Sequence, residues 1–221
     1  MPQSSTPEPE QFEPEPRWLA WIVVLALAGI YTALPKHLIV GPRWAFIAVV
    51  VVLLVSTMFT HFQSYRKVDK ILGFVELAII TAGMMASVAL LIQGLPAHLE
   101  QPAELLLSAA ALWLTNVLVF ALWYWKLDAG GPHGRERRGS HENGAFLFPQ
   151  MTMLPSNGRK SSAAWKPNFI DYLFLAFNTS TAFSPTDVPV LTRWAKVLMM
   201  LQSLISLTVL ALLAARAVNI L

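Results

Sequence analysis

An all-α fold, a polytopic bundle of transmembrane helices with four spans plus a C-terminal helical hairpin, is what this sequence predicts, and three observations predict it. Of 221 residues, 55% are hydrophobic and 13% charged, about half the charged share of an ordinary soluble domain. The apolar residues gather in runs of about 17 to 22, the number of helical residues that a hydrocarbon core requires. Charge falls almost wholly between those runs, so the formal net charge of +3 belongs to tails and loops. Cysteine is absent, which excludes disulfides and thiolate chemistry but says nothing about compartment.

The first element, residues 1–17, reads as a disordered acidic tail, because MPQSSTPEPEQFEPEP alternates proline with polar and acidic residues and cannot bury enough surface to fold. An acidic start is the opposite of a secretory signal, so the first apolar run is expected to stay as an anchor. Four transmembrane helices follow at 18–34, 44–60, 71–92 and 105–125, each bounded by Pro, His or charged residues that end a helix at the headgroups. Trp18, Trp21, Trp44, Trp113, Trp123 and Trp125 lie mostly near span ends, where indole rings anchor depth. The third span offers two small-residue stripes for close helix approach, Ala78, Ala82 and Ala86 on one and Gly83 with Ser87 on the other.

Residues 126–168 form a polar, basic connection too hydrophilic to cross a bilayer, containing GGPHGRERRGSHENG. Its apolar island, Ala145 to Leu154, is too short to span and is expected at the interface or packed on the bundle. His133, Glu136, His141 and Glu142 share this loop, but without Cys or a helical His pair they read as solvated residues rather than metal ligands. The last element, 169–221, is the hairpin: FIDYLFLAFNTSTAFS, a turn at PTDVPVLTR, and a long helix from Trp194.

Lysine and arginine set orientation, since positive loops stay in the cytoplasm. Eleven of them lie at the tail, the second loop and the long loop, against only Lys36 and Arg43 in the first and third loops. A cytoplasmic N-terminus and a cytoplasmic long loop follow, and residues 169–184 are then expected to cross outward although 16 residues reach only about 24 Å.

The run TSTAFSPTDVPVLTRWAK resembles the pore loop and inner helix of tetrameric potassium channels, in which a short helix leads into a TVGYG-type filter followed by Asp. Thr179, Ser180, Thr181 and Ala182 match the end of the pore helix and the first filter Thr, and Asp187 matches the filter-ending Asp. Pro189 and the Trp194, Ala195, Lys196 start of the last helix also fall into order. The same segment is similar to uncharacterised bacterial multi-span membrane proteins with a channel-like C-terminus. In place of the family's filter glycines stand Ser184 and Thr186, with Pro185 between them, so a glycine-built ladder of carbonyls is not expected. The pore-lining candidates are therefore the side chains of Thr179, Ser180, Thr181, Ser184, Thr186, Asp187 and Gln202. The same hydroxyls also fit a purely structural role, bonding carbonyls of the preceding turn.

Charge within a span is costly and marks function or pairing. Glu76 and Arg216 are the two such residues, expected to form an intramembrane ion pair if residues 169–184 cross fully. Asn116, Gln202, Ser203 and Ser206 are candidates for hydrogen bonds between helices.

Motifs for hydrolysis, phosphate binding, haem or metal catalysis are missing from the sequence, so no enzyme, catalytic residue, cofactor or nucleic-acid partner is expected. The functional expectation is an ion-channel-like or transport-related protein of a bacterial-type inner membrane, with a weakly selective, non-potassium-type pore hairpin. It would sit in the lipid bilayer as a homo-oligomer and pass monovalent cations. The alternative is a non-conducting scaffold or sensor whose cytoplasmic loop binds partners or anionic lipid.

Overall fold

The computed structural model describes residues 15–62, 66–94, 102–138, 141, 143–152, 165–181 and 187–218. Most of the predicted tail, Glu142, and the candidates Ser184 and Thr186 lie outside the described residues, as does the side chain of Arg216. The described residues form seven α-helices: α1 (Trp18–Ala33), α2 (Arg43–Phe62), α3 (Arg66–Gly94), α4 (Pro102–Leu127), α5 (Gly131–Arg138), α6 (Phe169–Thr181) and α7 (Arg193–Val218). The segments Lys67–Gly94, Ala103–Arg138 and Arg193–Ala215 are long and apolar enough to cross a membrane, and α1 and α2 are shorter apolar helices.

Local chemistry sets the boundaries. Leu34 turns extended after α1 because Pro35 follows it, and Pro102 opens α4, where its missing N–H costs nothing. Between α4 and α5 the chain reverses through Ala129, Gly130 and Gly131, all at positive φ. A side chain at Gly131 would strike the Lys126 carbonyl, so only glycine fits the reversal there.

Helix α4 is the centre of the bundle. It packs against α1, α3, α6 and α7, and 67% of its most apolar stretch is buried, against 17% in α7. At one end of the bundle Tyr31, Leu34, Leu38, Leu91, Leu105 and Val209 share an apolar cluster. The other end gathers Arg17, Asp69, His133 and Glu136 from α1, α3 and α5 and is called here the basic end. Of the two small-residue stripes on α3, the fold uses Gly83 and Ser87: Phe46 of α2 lies against Gly83 and stacks on Tyr31 with ring centroids 3.9 Å apart, while Ala78 and Ala82 are exposed.

The predicted hairpin departs most from expectation. Its two described helices, α6 and α7, both start at the basic end. Phe146, at the basic end, meets the start of α6 through Tyr172 and the start of α7 through Trp194, with ring centroids 6.3 and 6.2 Å apart. Deeper in, Gln202 of α7 reaches Ala176 and Ser180 of α6. The two helices therefore run parallel, and residues 187–192 lie at the end of the bundle where α6 starts. Leu147 donates to the Pro189 carbonyl and Leu191 to that of Ala145, fixing that placement. The physical reason is length. Thirteen residues of α6 rise only about 20 Å, short of a hydrocarbon core of roughly 30 Å.

The apolar island also finds its place: Phe146 and Phe148 are buried against Tyr172 and pack on the bundle.

Candidate functional site

Three hydrogen-bonded polar groupings stand out among the described residues of the bundle. The first closes the basic end from α1, α3 and α5. Arg17 donates to Asp69 at 3.1 Å and to Glu136 at 2.9 Å, and His133 sits 2.5 Å from the same Asp69 carboxylate. Arg17 is 8% exposed, and a buried guanidinium persists only when such acceptors surround it.

The second grouping joins the α4–α5 reversal to α6. Asp128, fully buried, accepts from the Tyr172 hydroxyl at 2.7 Å, from the Ala145 N–H at 2.5 Å and pairs with His141 at 2.5 Å. Arg135 donates to Glu15 at 2.9 Å and to the carbonyls of Trp125 and Asp128, with its guanidinium 5.3 Å above the Tyr172 ring. Trp125 also donates to Glu15, which ties the last residues of the tail to the bundle. His133, Glu136 and His141, read from sequence as solvated, are thus ion-pair partners: their loop folds into α5 and lies back on the helix ends. Among the described residues no group of three or more His, Asp or Glu could hold a metal ion.

The third grouping sits at mid-depth between α4, α6 and α7. Gln202, fully buried, donates to the Ala176 carbonyl and to Ser180 Oγ, both at 2.7 Å, and accepts from the Tyr124 hydroxyl. Asn116 donates to the Gln202 carbonyl at 3.1 Å and to Ser206 at 2.8 Å, and Ser203 donates to the Thr179 carbonyl. Gln202 and Ser180 therefore fasten helices together. Thr179 is buried and Thr181 exposed, each donating to a carbonyl one turn back. Asp187 is exposed, just before the bridge of Val190 to Phe146.

The expected Glu76–Arg216 pair involves a side chain, that of Arg216, outside the described residues. Val209 already lies in the apolar cluster at the opposite end, so α7 carries position 216 away from Glu76. The parallel course of α6 and α7 sends α7 away from the basic end. The charge acting most strongly on Glu76 is Lys126 of α4, and both line a pocket of about 60 Å³ between α1, α2, α3, α4 and the start of α5.

Sequence reading missed Asp128, Arg135, Tyr172 and Lys126. The available signal was Lys126 and Asp128 directly after the fourth apolar run, since charges at a span end face whatever packs there.

Compared with known protein families, curated proteins and solved structures, the chain gives no match.

Proposed function

We propose that this protein is an ion-channel-like membrane protein in which residues 169–192 form a re-entrant element beside the axis of a homo-oligomer, passing small monovalent cations with weak selectivity. The parallel course of α6 and α7 carries the reading. A chain that enters the apolar layer and returns to the same side is tolerated there only where protein covers it or water fills the space beside it. Unpartnered surface supports the same conclusion. Ile170, Phe174, Phe177 and Thr181 form an exposed stripe along α6, and Val197, Met200, Leu201 and Leu204 are exposed on α7. Neighbouring copies would cover the α6 stripe, a surface that a spanning helix would give to lipid.

Thr181 and Asp187 are the lining side chains in this reading, with Ser184 and Thr186 between them in sequence, while Thr179, Ser180 and Gln202 brace the element. A ring of Asp187 carboxylates concentrates cations at the mouth without stripping their water, which gives weak selectivity. The basic end faces the cytoplasm: α7 begins there, so Arg193 and Lys196 add to the positive side. The pore loop then enters from inside, the reverse of potassium channels. The scaffold reading is less favoured, because Arg135 and Arg138 are engaged within the fold, with Glu15 and with the Ala129 carbonyl.

Cation flux into liposomes tests the proposal. Protein reconstituted as oligomers should conduct, and Asp187→Ala and Thr181→Ala should each lower the flux several-fold. Flux equal to that of protein-free vesicles, from protein that keeps its helical content, overturns it.

A further inference from the structure

The pocket at the basic end is separate from the α6–α7 element and is lined by two charged groups, Glu76 and Lys126, that make no side-chain hydrogen bond to each other among the described residues. Glu76 is 4% exposed, and its Oε1 has no hydrogen-bond partner. Lys126 extends across bare Gly73, one turn nearer the basic end, where a Cβ would collide with its Nζ. Its described contacts are electrostatic, with Glu76, with Asp69 and with the Trp125 ring 5.9 Å away. No ion pair joins Lys126 to Glu76 among the described residues. By contrast, Arg17, Asp69 and His133 on the same wall satisfy one another. Trp21, Val24, Phe74 and Leu122 are among the lining residues, with exposed Lys70 at the edge, and the cavity of about 60 Å³ is room for about four waters or a molecule of a few heavy atoms.

We propose that this pocket binds a small zwitterion, an ammonium and an acid group one or two carbons apart, with the ammonium on Glu76 and the acid group on Lys126. Leaving the buried Glu76 oxygen without a hydrogen bond is costly. A simple cation on Glu76 would leave Lys126 without an acceptor and add positive charge beside Arg17 and Lys126. A simple anion on Lys126 would face both Glu76 and Asp69. A dipolar molecule satisfies both groups at once, and the aromatic walls favour its ammonium end. The chemistry has two sources, a free amino acid or aminoalkyl phosphate, or the headgroup of phosphatidylethanolamine entering from the membrane surface.

Thermal unfolding of the full chain in maltoside detergent supplies the test, with glycine and phosphoethanolamine as soluble probes and methylammonium and acetate as half-molecules. Native mass spectrometry after incubation with phosphatidylethanolamine or phosphatidylcholine supplies the lipid arm. Either a zwitterion raises the midpoint at millimolar concentration while the half-molecules do not, or phosphatidylethanolamine alone is retained. In both cases Glu76→Gln and Lys126→Met abolish the effect, and Gly73→Ala, which displaces the ammonium, weakens binding by about tenfold. Glu76→Gln is isosteric and guards against a variant that fails to fold. No response to any of these probes, meaning that water alone bridges the two charges, overturns the proposal. Binding unchanged in Glu76→Gln overturns it equally. Conduction through α6–α7 is unaffected by either outcome.

Discussion

Val190 pairs with Phe146 across an isolated antiparallel bridge, which holds the residues before α7 at the end of the bundle where α6 begins. The bridge makes membrane sidedness directly measurable. The chain contains no cysteine, so single cysteines at Val40, Thr152 and Asp187, all exposed, report position with a membrane-impermeant thiol reagent. Thr152→Cys and Asp187→Cys should label from one side and Val40→Cys from the other. Asp187→Cys labelling together with Val40→Cys would mean that α6 crosses.

Removing the hydrogen-bonding end of Gln202 should loosen the three-helix junction. Gln202→Leu leaves the Tyr124 hydroxyl and the Ala176 carbonyl without their partner, a loss of about 1–3 kcal/mol. Unfolding in detergent should show it, with Tyr124→Phe giving a smaller effect because it removes one bond of the set. Equal stability of Gln202→Leu and wild type would contradict the brace.

Asp128 is the acceptor on which the loop depends. Asp128→Ala frees the Ala145 N–H, the Tyr172 hydroxyl and His141 together, at a cost of about 3–5 kcal/mol if the charge of the pair is broken. Trypsin should then cut near Arg135 and Arg138 much faster than in wild type, and Tyr172→Phe should fall between the two.

Gly83→Ala probes the α2–α3 contact. A methyl group at 83 would sit 2.8 Å from the Phe46 ring, so the stacked Tyr31 and Phe46 pair must shift, costing about 1–3 kcal/mol. Ala82→Gly, one residue away on the exposed stripe, should cost only about 1 kcal/mol through helix propensity. A thermal midpoint lower in Gly83→Ala than in Ala82→Gly is the expected order.

The apolar helices were legible in the sequence because the bilayer imposes length and polarity on a segment before any neighbour is known. The parallel course of α6 and α7 was not legible in this way. Charge counting assigns a side to loops and assumes that each apolar run between them crosses, which takes no account of an α6 of only 13 residues. The polar end was missed for another reason. Asp128, Arg135 and His141 read as solvated within a Gly- and Arg-rich stretch, and only the reversal at Ala129 to Gly131 turns them back onto Tyr172. Pairing at that range is a property of the packed bundle, with no trace in local composition.

Glu15 and Arg135 stand 120 positions apart, and this span dictates an order of assembly. While the ribosome is still delivering the first helices, Glu15 lacks its Arg135 counter-ion. Its docking awaits the emergence of α5, and the Tyr172 ring that supports Arg135 arrives later still. The Glu15 contact therefore cannot form before α5 is made, whereas Arg17 beside it can reach Asp69 once α3 is in place.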